Sequence, residues 1–180
     1  MIAAPQGGIL RARTLIVFES MYGNTRAVAE AIAEGMGSDV DVSVRAVHEA
    51  GGVPDDIDLL IVGGPTHMHG LATSMSRGMV VTAAKEDAAK LDASATEGPG
   101  LRQWLRDLDR IGDARAAAFD TRGDANAALT GSAARGIARR LRQHRYEVVA
   151  RESFLVEDSE GPLEQGELER ARAWGAELAR

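Results

Sequence analysis

The chain has 180 residues, a formal net charge of -6 at pH 7, 44% hydrophobic residues, 4% aromatic residues and no cysteine. This length suits one domain, whose core must be built mainly from aliphatic side chains and alanine. The lack of cysteine excludes a disulfide framework and a thiolate metal site, and the acidic charge does not suggest nucleic-acid binding.

The N-terminal segment and the apolar runs bear on where the protein acts. Residues 1–13 contain no apolar stretch long enough for a signal peptide, so we interpret them as a flexible leader before one domain at residues 14–180. No run approaches the roughly 20 apolar residues that a membrane-spanning helix needs. We therefore expect a cytoplasmic protein that acts without a membrane.

From residue 14 onward, strand-like and helix-like segments alternate. Continuous apolar runs of strand length are typical of strands buried on both faces, and shorter alternating runs are typical of strands buried on one face. The predicted strands are 14–19, 41–47, 58–64, 114–121 and 146–157. Apolar side chains at helical spacing predict helices; these cover 24–36, 78–91, 98–108, 130–144 and 161–180.

Several residues favour the ends of these helices. Gly37 is a plausible stop for the first helix, Pro99 fits the first helical position of the segment 98–108, and Thr130 or Ser132 is a plausible cap for the segment 130–144. Arginines between 135 and 145 lie opposite the apolar face of the predicted helix 130–144. We interpret them as a solvated face, with an acidic partner as the alternative.

Strands that alternate with helices predict a parallel sheet with helices on both faces. Ligands of such folds bind outside the carboxyl ends of the strands. The segments after the first, third and fourth strands are therefore the candidates for a ligand site. They are SMYGNT at 20–25, GGPTHMHG at 63–70 and FDTRGD at 119–124.

The first segment has the composition of an anion site. Ser20 and Thr25 supply hydroxyls, Gly23 allows a tight turn, and the backbone N–H groups from Tyr22 to Thr25 open a predicted helix. Unpaired N–H groups and the helix dipole favour an anion there. Without a lysine this is not a nucleoside-triphosphate loop, so we expect a terminal phosphate held by neutral donors. An ordinary capped turn is the alternative.

The three segments together resemble those of the flavodoxin family. Ser20, Gly23 and Thr25 match the family's phosphate loop, and GGPT at 63–66 matches a second loop of the form Gly-x-Pro-Thr. The third loop follows the strand AAAF, and the final helix is also similar. The resemblance covers about residues 14–180 and implies a doubly wound, five-stranded parallel sheet of order 2-1-3-4-5, with helices on both faces and FMN as cofactor.

The resemblance also implies which residues bind FMN. They are Ser20, Met21, Tyr22, Gly23, Asn24, Thr25, Pro65, Thr66, His67, Met68, His69, Thr121, Arg122 and Gly123. Tyr22 stands where the family usually has Thr, and the second and third loops contain no Trp or Tyr to stack on the flavin ring. His67 and His69 as metal ligands are a weaker alternative, because no third ligand has suitable spacing. No catalytic residue is assigned.

Two functions remain open. The protein is either an FMN redox protein, which serves a partner protein or reduces a small acceptor such as a quinone or nitro compound, or a binding or regulatory module that keeps the fold without FMN. Whether it is an enzyme is left open. A response-regulator receiver is rejected, because Glu19 stands alone after the first strand and the third strand ends in Gly-Gly-Pro.

Overall fold

The computed structural model describes residues 11–67, 70–72, 78, 91–92, 97–109, 114–124, 131–158 and 161–180. Its elements are β1 (Arg13–Phe18), α1 (Asn24–Met36), β2 (Asp41–Ala46), β3 (Leu59–His67), β4 (Gly70–Leu71), α2 (Leu101–Arg106), β5 (Arg115–Gly123), α3 (Ala133–Gln143), β6 (Glu147–Val156) and α4 (Glu167–Leu178). The predicted leader and the predicted helix at 78–91 fall largely outside the described residues. Within the described part of the chain, no helix is long and apolar enough to cross a membrane.

The long strands form one parallel sheet in the order β2-β1-β3-β5-β6. The additional β4 has only two residues and pairs antiparallel with the end of β3. Counting the long strands alone, the order is the predicted 2-1-3-4-5. Because pairing is parallel, Phe18 lies beside Gly63 and Gly63 beside Phe119, so β1, β3 and β5 end at the same edge of the sheet.

Alternate residues of the central strands feed two separate cores, one on each face of the sheet. Leu60 and Val62 of β3 pack with Trp104 of α2 and Ile137 of α3. The opposite face packs against α1 and α4; there Phe119, Phe154 and Trp174 meet edge to face, with ring centroids 6.1–6.5 Å apart. Helices therefore cover both faces, as predicted.

The structure confirms some predicted helix ends and corrects others. α1 has the predicted bounds, with Gly37 as its C-cap, and the Ser132 side chain caps α3 by accepting from the Arg135 N–H at 3.1 Å. The prediction for Pro99 was wrong: α2 begins at Leu101, because Gly100 takes the extended N-cap conformation and its carbonyl accepts the first helical bonds. Thr130 lies outside the described residues.

The other corrections concern the C-terminal part of the chain. α4 begins later than predicted, because Gly166 adopts a φ of 88° at its N-cap and Leu163 makes a bridge with Val156 before the helix starts. The last predicted strand, 146–157, contains a bulge: Ala116 pairs with Val148 and Ala117 with Ala150, which leaves one residue of β6 without a partner in β5.

Two glycines allow α1 and α4 to approach each other backbone to backbone. A Cβ atom on Gly35 would collide with the carbonyl oxygen of Arg172, and one on Gly175 would collide with the carbonyl oxygen of Ile32. Neither obstacle is a flexible side chain that could move aside. The spacing of the two helices therefore depends on both glycines.

We expect Gly175→Ala to lower the free energy of unfolding by about 1–3 kcal/mol, because the added methyl group forces the helices apart. Gly136→Ala is the matched control, since its Cβ would meet neighbours at 3.5 Å or more and Ala favours helix. Urea denaturation of both variants measures the difference. Equal stability of the two variants would contradict the close approach of α1 and α4.

Candidate functional site

The shared carboxyl ends of β1, β3 and β5 border a cleft, called here the strand-end cleft. It is lined by Met21, Tyr22, Asn24, Thr25, Pro65, Thr66, Thr121, Arg122, Gly123 and Val156. All of these except Val156 are among the predicted site residues. Val156 reaches the cleft because β6 runs to the same edge and pairs there with Gly123. An apolar residue at the end of the last predicted strand was the available signal for it.

The turn between β1 and α1 leaves backbone donors pointing out of the helix. Gly23 adopts a φ of 88°, and its N–H donates to the Ser20 Oγ at 3.1 Å. The N–H groups of Asn24, Thr25 and Arg26 have no acceptor among the described residues. The free donors are therefore the first three of the helix, and not the set from Tyr22 to Thr25 that the sequence suggested. Their position fits a bound anion.

A pair of buried hydroxyls joins the first and third predicted loops. Thr25 Oγ1 and Thr121 Oγ1 lie 2.8 Å apart, and the two residues are 2% and 5% exposed. Each hydroxyl has one hydrogen, so one Thr donates to the other and the second keeps its hydrogen for another acceptor. The pair therefore has one spare donor at the cleft.

The second and third loops are connected through the buried carboxylate of Asp120. Its Oδ2 accepts from the Thr66 hydroxyl at 2.8 Å, from the Ser132 hydroxyl at 2.7 Å and from the Ala134 N–H at 2.9 Å. The Ala133 N–H donates to the Thr66 hydroxyl at 2.8 Å. The carboxylate thus sits at the N-terminus of α3, where the helix dipole favours negative charge.

The Asp120 network changes the interpretation of two residues, one of which was predicted as a site residue and one of which was not. Thr66 lines the cleft, but its hydroxyl both donates and accepts within the Asp120 network, so it has no hydrogen left for a ligand. Asp120 was not predicted as a site residue. An acid at the end of a buried strand, followed 12 residues later by a Ser that can cap a helix, was the signal that could have found it.

The histidines of the second loop are described only in part. The backbone of His67 forms the end of β3 and pairs with Gly70. Met68 and His69 lie outside the described residues. Within the described part of the chain, no group of three His, Asp or Glu side chains is arranged to hold a metal ion.

The guanidinium in the first turn of α1 is neutralised. Arg26 donates to both carboxylate oxygens of Asp92 at 2.7 and 2.8 Å, and this hydrogen-bonded partner raises the pKa of Arg26. The Asp92 N–H in turn donates to the carbonyl oxygen of Met21 at 2.7 Å. The donors at the turn are therefore neutral N–H and O–H groups. Among the described lining residues of the cleft, the half-buried Arg122 is the one basic side chain.

Comparison with known proteins supports the predicted relationship. Residues 15–77 match the family model of the flavodoxin domain. This range holds the first loop and the second loop, including Ser20 to Thr25 and Gly63 to Thr66. A search of curated proteins found no match to the chain.

Solved structures match nearly the whole chain. An archaeal flavodoxin has a TM-score of 0.55 at 20% identity, over 93% of this chain and 96% of the other. Flavodoxin 1 from Bacillus cereus has a TM-score of 0.59 at 17% identity, over 93% and 97%. An oxidoreductase from Corynebacterium diphtheriae has a TM-score of 0.56 at 18% identity, over 94% and 96%.

The fold and its strand-end cleft define a doubly wound α/β protein of the flavodoxin type. The family match over its first two loops confirms the resemblance to the flavodoxin family, and the solved structures confirm that the fold extends over the chain.

We expect Asp120→Ala to lower the free energy of unfolding by about 3 kcal/mol or more, because three donors, two of them partly buried and one fully buried, lose their acceptor. Asp120→Asn keeps one acceptor oxygen and should cost less. Asp124→Ala, on an exposed side chain just beyond β5, is the control. Urea denaturation compares the variants, and a loss in Asp120→Ala no larger than in Asp124→Ala would show that the network does not hold the loops.

Proposed function

We propose that the protein binds FMN in the strand-end cleft and acts in electron transfer, either with a partner protein or as a reductase of a small acceptor. The observation that carries the proposal is the set of three N–H groups at the start of α1 that have no acceptor among the described residues, beside buried neutral hydroxyls and an Arg26 guanidinium that Asp92 neutralises. This donor set suits a terminal phosphate monoester. Bound FMN would supply the redox chemistry, which no side chain of the cleft offers.

Each wall of the cleft would have a separate part in binding. The N–H groups of Asn24, Thr25 and Arg26, with the spare Thr25–Thr121 hydroxyl hydrogen, would hold the phosphate. Met21, Tyr22, Pro65, Thr66, Thr121, Arg122, Gly123 and, by resemblance, Ser20, Gly23, His67, Met68 and His69 would complete the site. Asp120 and Ser132, which are not among the lining residues of the cleft, would keep the second and third loops at a fixed spacing.

One observation favours the second candidate, a binding or regulatory module without flavin. The strand-end cleft has a volume of about 170 Å³, whereas small-molecule sites commonly have about 300–1,000 Å³. A cleft of this size takes the phosphate and part of the chain attached to it. The absorbance spectrum of the purified protein separates the candidates, because a flavoprotein stays yellow after FMN is added and unbound FMN is removed, whereas a module without flavin is then colourless.

We expect Thr25→Ala to weaken FMN binding by about tenfold or more, since a hydrogen bond to a charged group contributes about 1.5–3 kcal/mol. Thr25→Ser keeps the hydroxyl and should restore most of the affinity. Riboflavin, which lacks the phosphate, should bind weakly and equally to all three proteins. Fluorescence titration measures these affinities, and unchanged FMN affinity in Thr25→Ala, or equal affinity of the unmodified protein for riboflavin, would remove the phosphate assignment.

We further expect Arg122→Gln to lower the midpoint potential of bound FMN, because a nearby cation favours the more negative reduced form. The shift should be on the order of tens of millivolts. Arg115→Gln is the matched control, since Arg115 begins the same strand at the opposite edge of the sheet. Potentiometric titration of both variants compares them. Equal potentials would place the Arg122 charge away from the flavin.

A further inference from the structure

A second cavity, called here the arginine cavity, lies on the α3 side of the sheet and has no part in the proposed FMN site. Its volume is about 340 Å³. Four of its lining residues are arginines: Arg102, Arg135, Arg139 and Arg140. The remaining lining residues are Gly70, Leu71, Gly131, Ser132 and Gly136. No acidic side chain among the described residues lines it, although acidic residues outnumber basic ones in the chain as a whole, by 27 to 21.

The structure orients these arginines without neutralising them. Arg102 donates to the carbonyl oxygens of Leu71 at 2.7 Å and Ala72 at 3.3 Å, and Arg140 donates to the Gly136 carbonyl at 3.1 Å. None of the four has a carboxylate partner among the described residues, whereas Arg26, Arg170 and Arg172 elsewhere do. A carbonyl oxygen positions a guanidinium but does not cancel its charge.

The positive charges of the arginines that line this cavity repel one another. Burial lowers the pKa of Arg140, and the charges of Arg102 and Arg139 lower it further. An unpaired, partly desolvated cation surrounded by other cations is destabilising unless an anion compensates for it. The arginine cluster therefore needs a counter-ion, and the described residues of the protein do not supply one.

We propose that the arginine cavity binds a small molecule through a multiply charged oxyanion group, of the phosphate or diphosphate class. Guanidinium groups match such oxyanions because their planar donors bind two oxygens at once. The cavity is concave and lies within the volume range of small-molecule sites, about 300–1,000 Å³. Gly70 leaves room: a Cβ atom there would meet no atom of the described residues within 4 Å. These features favour a small ligand over the flat face that an acidic protein partner would need.

Hydrogen bonds and strand pairing connect the arginine cavity to the strand-end cleft. Ser132 lines the arginine cavity and donates to Asp120, which also accepts from Thr66 of the cleft. Leu71, which lines the arginine cavity, pairs with Thr66 across β3 and β4. An anion held by the arginines would therefore lie beside the proposed FMN site. The proposal does not require FMN, since the four arginines do not line that cleft.

Isothermal titration calorimetry with inorganic pyrophosphate tests this proposal on the full chain at low ionic strength, after the purified protein is saturated with FMN. Arg139→Gln removes one cation from the cavity at an exposed helical position. Arg142→Gln is the matched control, because it removes the same charge from an exposed position of the same helix that does not line the cavity. Thr25→Ala reports on competition from the phosphate site at α1. Thermal unfolding checks that each variant is folded.

We expect Arg139→Gln to weaken pyrophosphate binding by about tenfold or more, with at most a small loss in Arg142→Gln and none in Thr25→Ala. Equal weakening by Arg139→Gln and Arg142→Gln would show only diffuse surface charge, of the kind that attracts an acidic protein, and would overturn the proposal. Loss in Thr25→Ala alone would place the anion at α1, and no binding at all would also overturn it. Because FMN affinity is titrated separately, failure here leaves the proposed flavin site unaffected.

Discussion

Parallel pairing of β3 with β1 on one side and β5 on the other is the constraint from which the site follows. Since the register places Phe18, Gly63 and Phe119 side by side, the three polar segments that follow these strands meet at one edge of the sheet. Strand pairing alone therefore brings together segments that are far apart in sequence, and does not depend on contacts between the segments themselves. Glycine at 63 leaves the space that the buried Phe119 ring occupies, because a Cβ atom there would collide with this ring.

Once the segments meet, their polar groups must find partners, and this requirement decides which ones remain for a ligand. Asp120 is fully buried, and its charge is compensated by two hydroxyls and the N-terminus of α3. The Thr66 hydroxyl donates its hydrogen to this carboxylate and therefore has none left for a ligand. At α1 the Asp92 carboxylate pairs with the Arg26 guanidinium, and the first three helical N–H groups have no acceptor among the described residues. The Asp120 carboxylate thus occupies the N-terminus of α3, whereas the N-terminus of α1 is left available for the anion of a ligand.

The fold was predictable because its signals are local. Each strand is a short apolar run, each helix has apolar side chains at helical spacing, and parallel pairing follows from their alternation. The phosphate turn was predictable for the same reason, since Ser20, Gly23 and Thr25 lie within six residues. The Asp120 network was not, because Thr66, Asp120 and Ser132 come from three elements. The prediction that a helix starts at Pro99 was wrong because proline is allowed at the first helical position but does not fix the start there. Gly100 was an equally good N-cap.

The two anion-binding surfaces proposed here differ in how they attract charge. At α1 the donors are neutral dipoles, whose influence falls off within the first turn of the helix. The arginine cavity carries full charges whose field extends about a Debye length, roughly 8–10 Å at physiological salt. In a protein of net charge -6, only the second surface can draw a charged molecule from a distance. The first would hold a ligand tightly through hydrogen bonds, whereas the second would capture and release one as ionic strength varies. A resident cofactor suits the first behaviour and an exchanging reactant the second, and the hydrogen bonds of Asp120 with Thr66 and Ser132 would connect the two ligands.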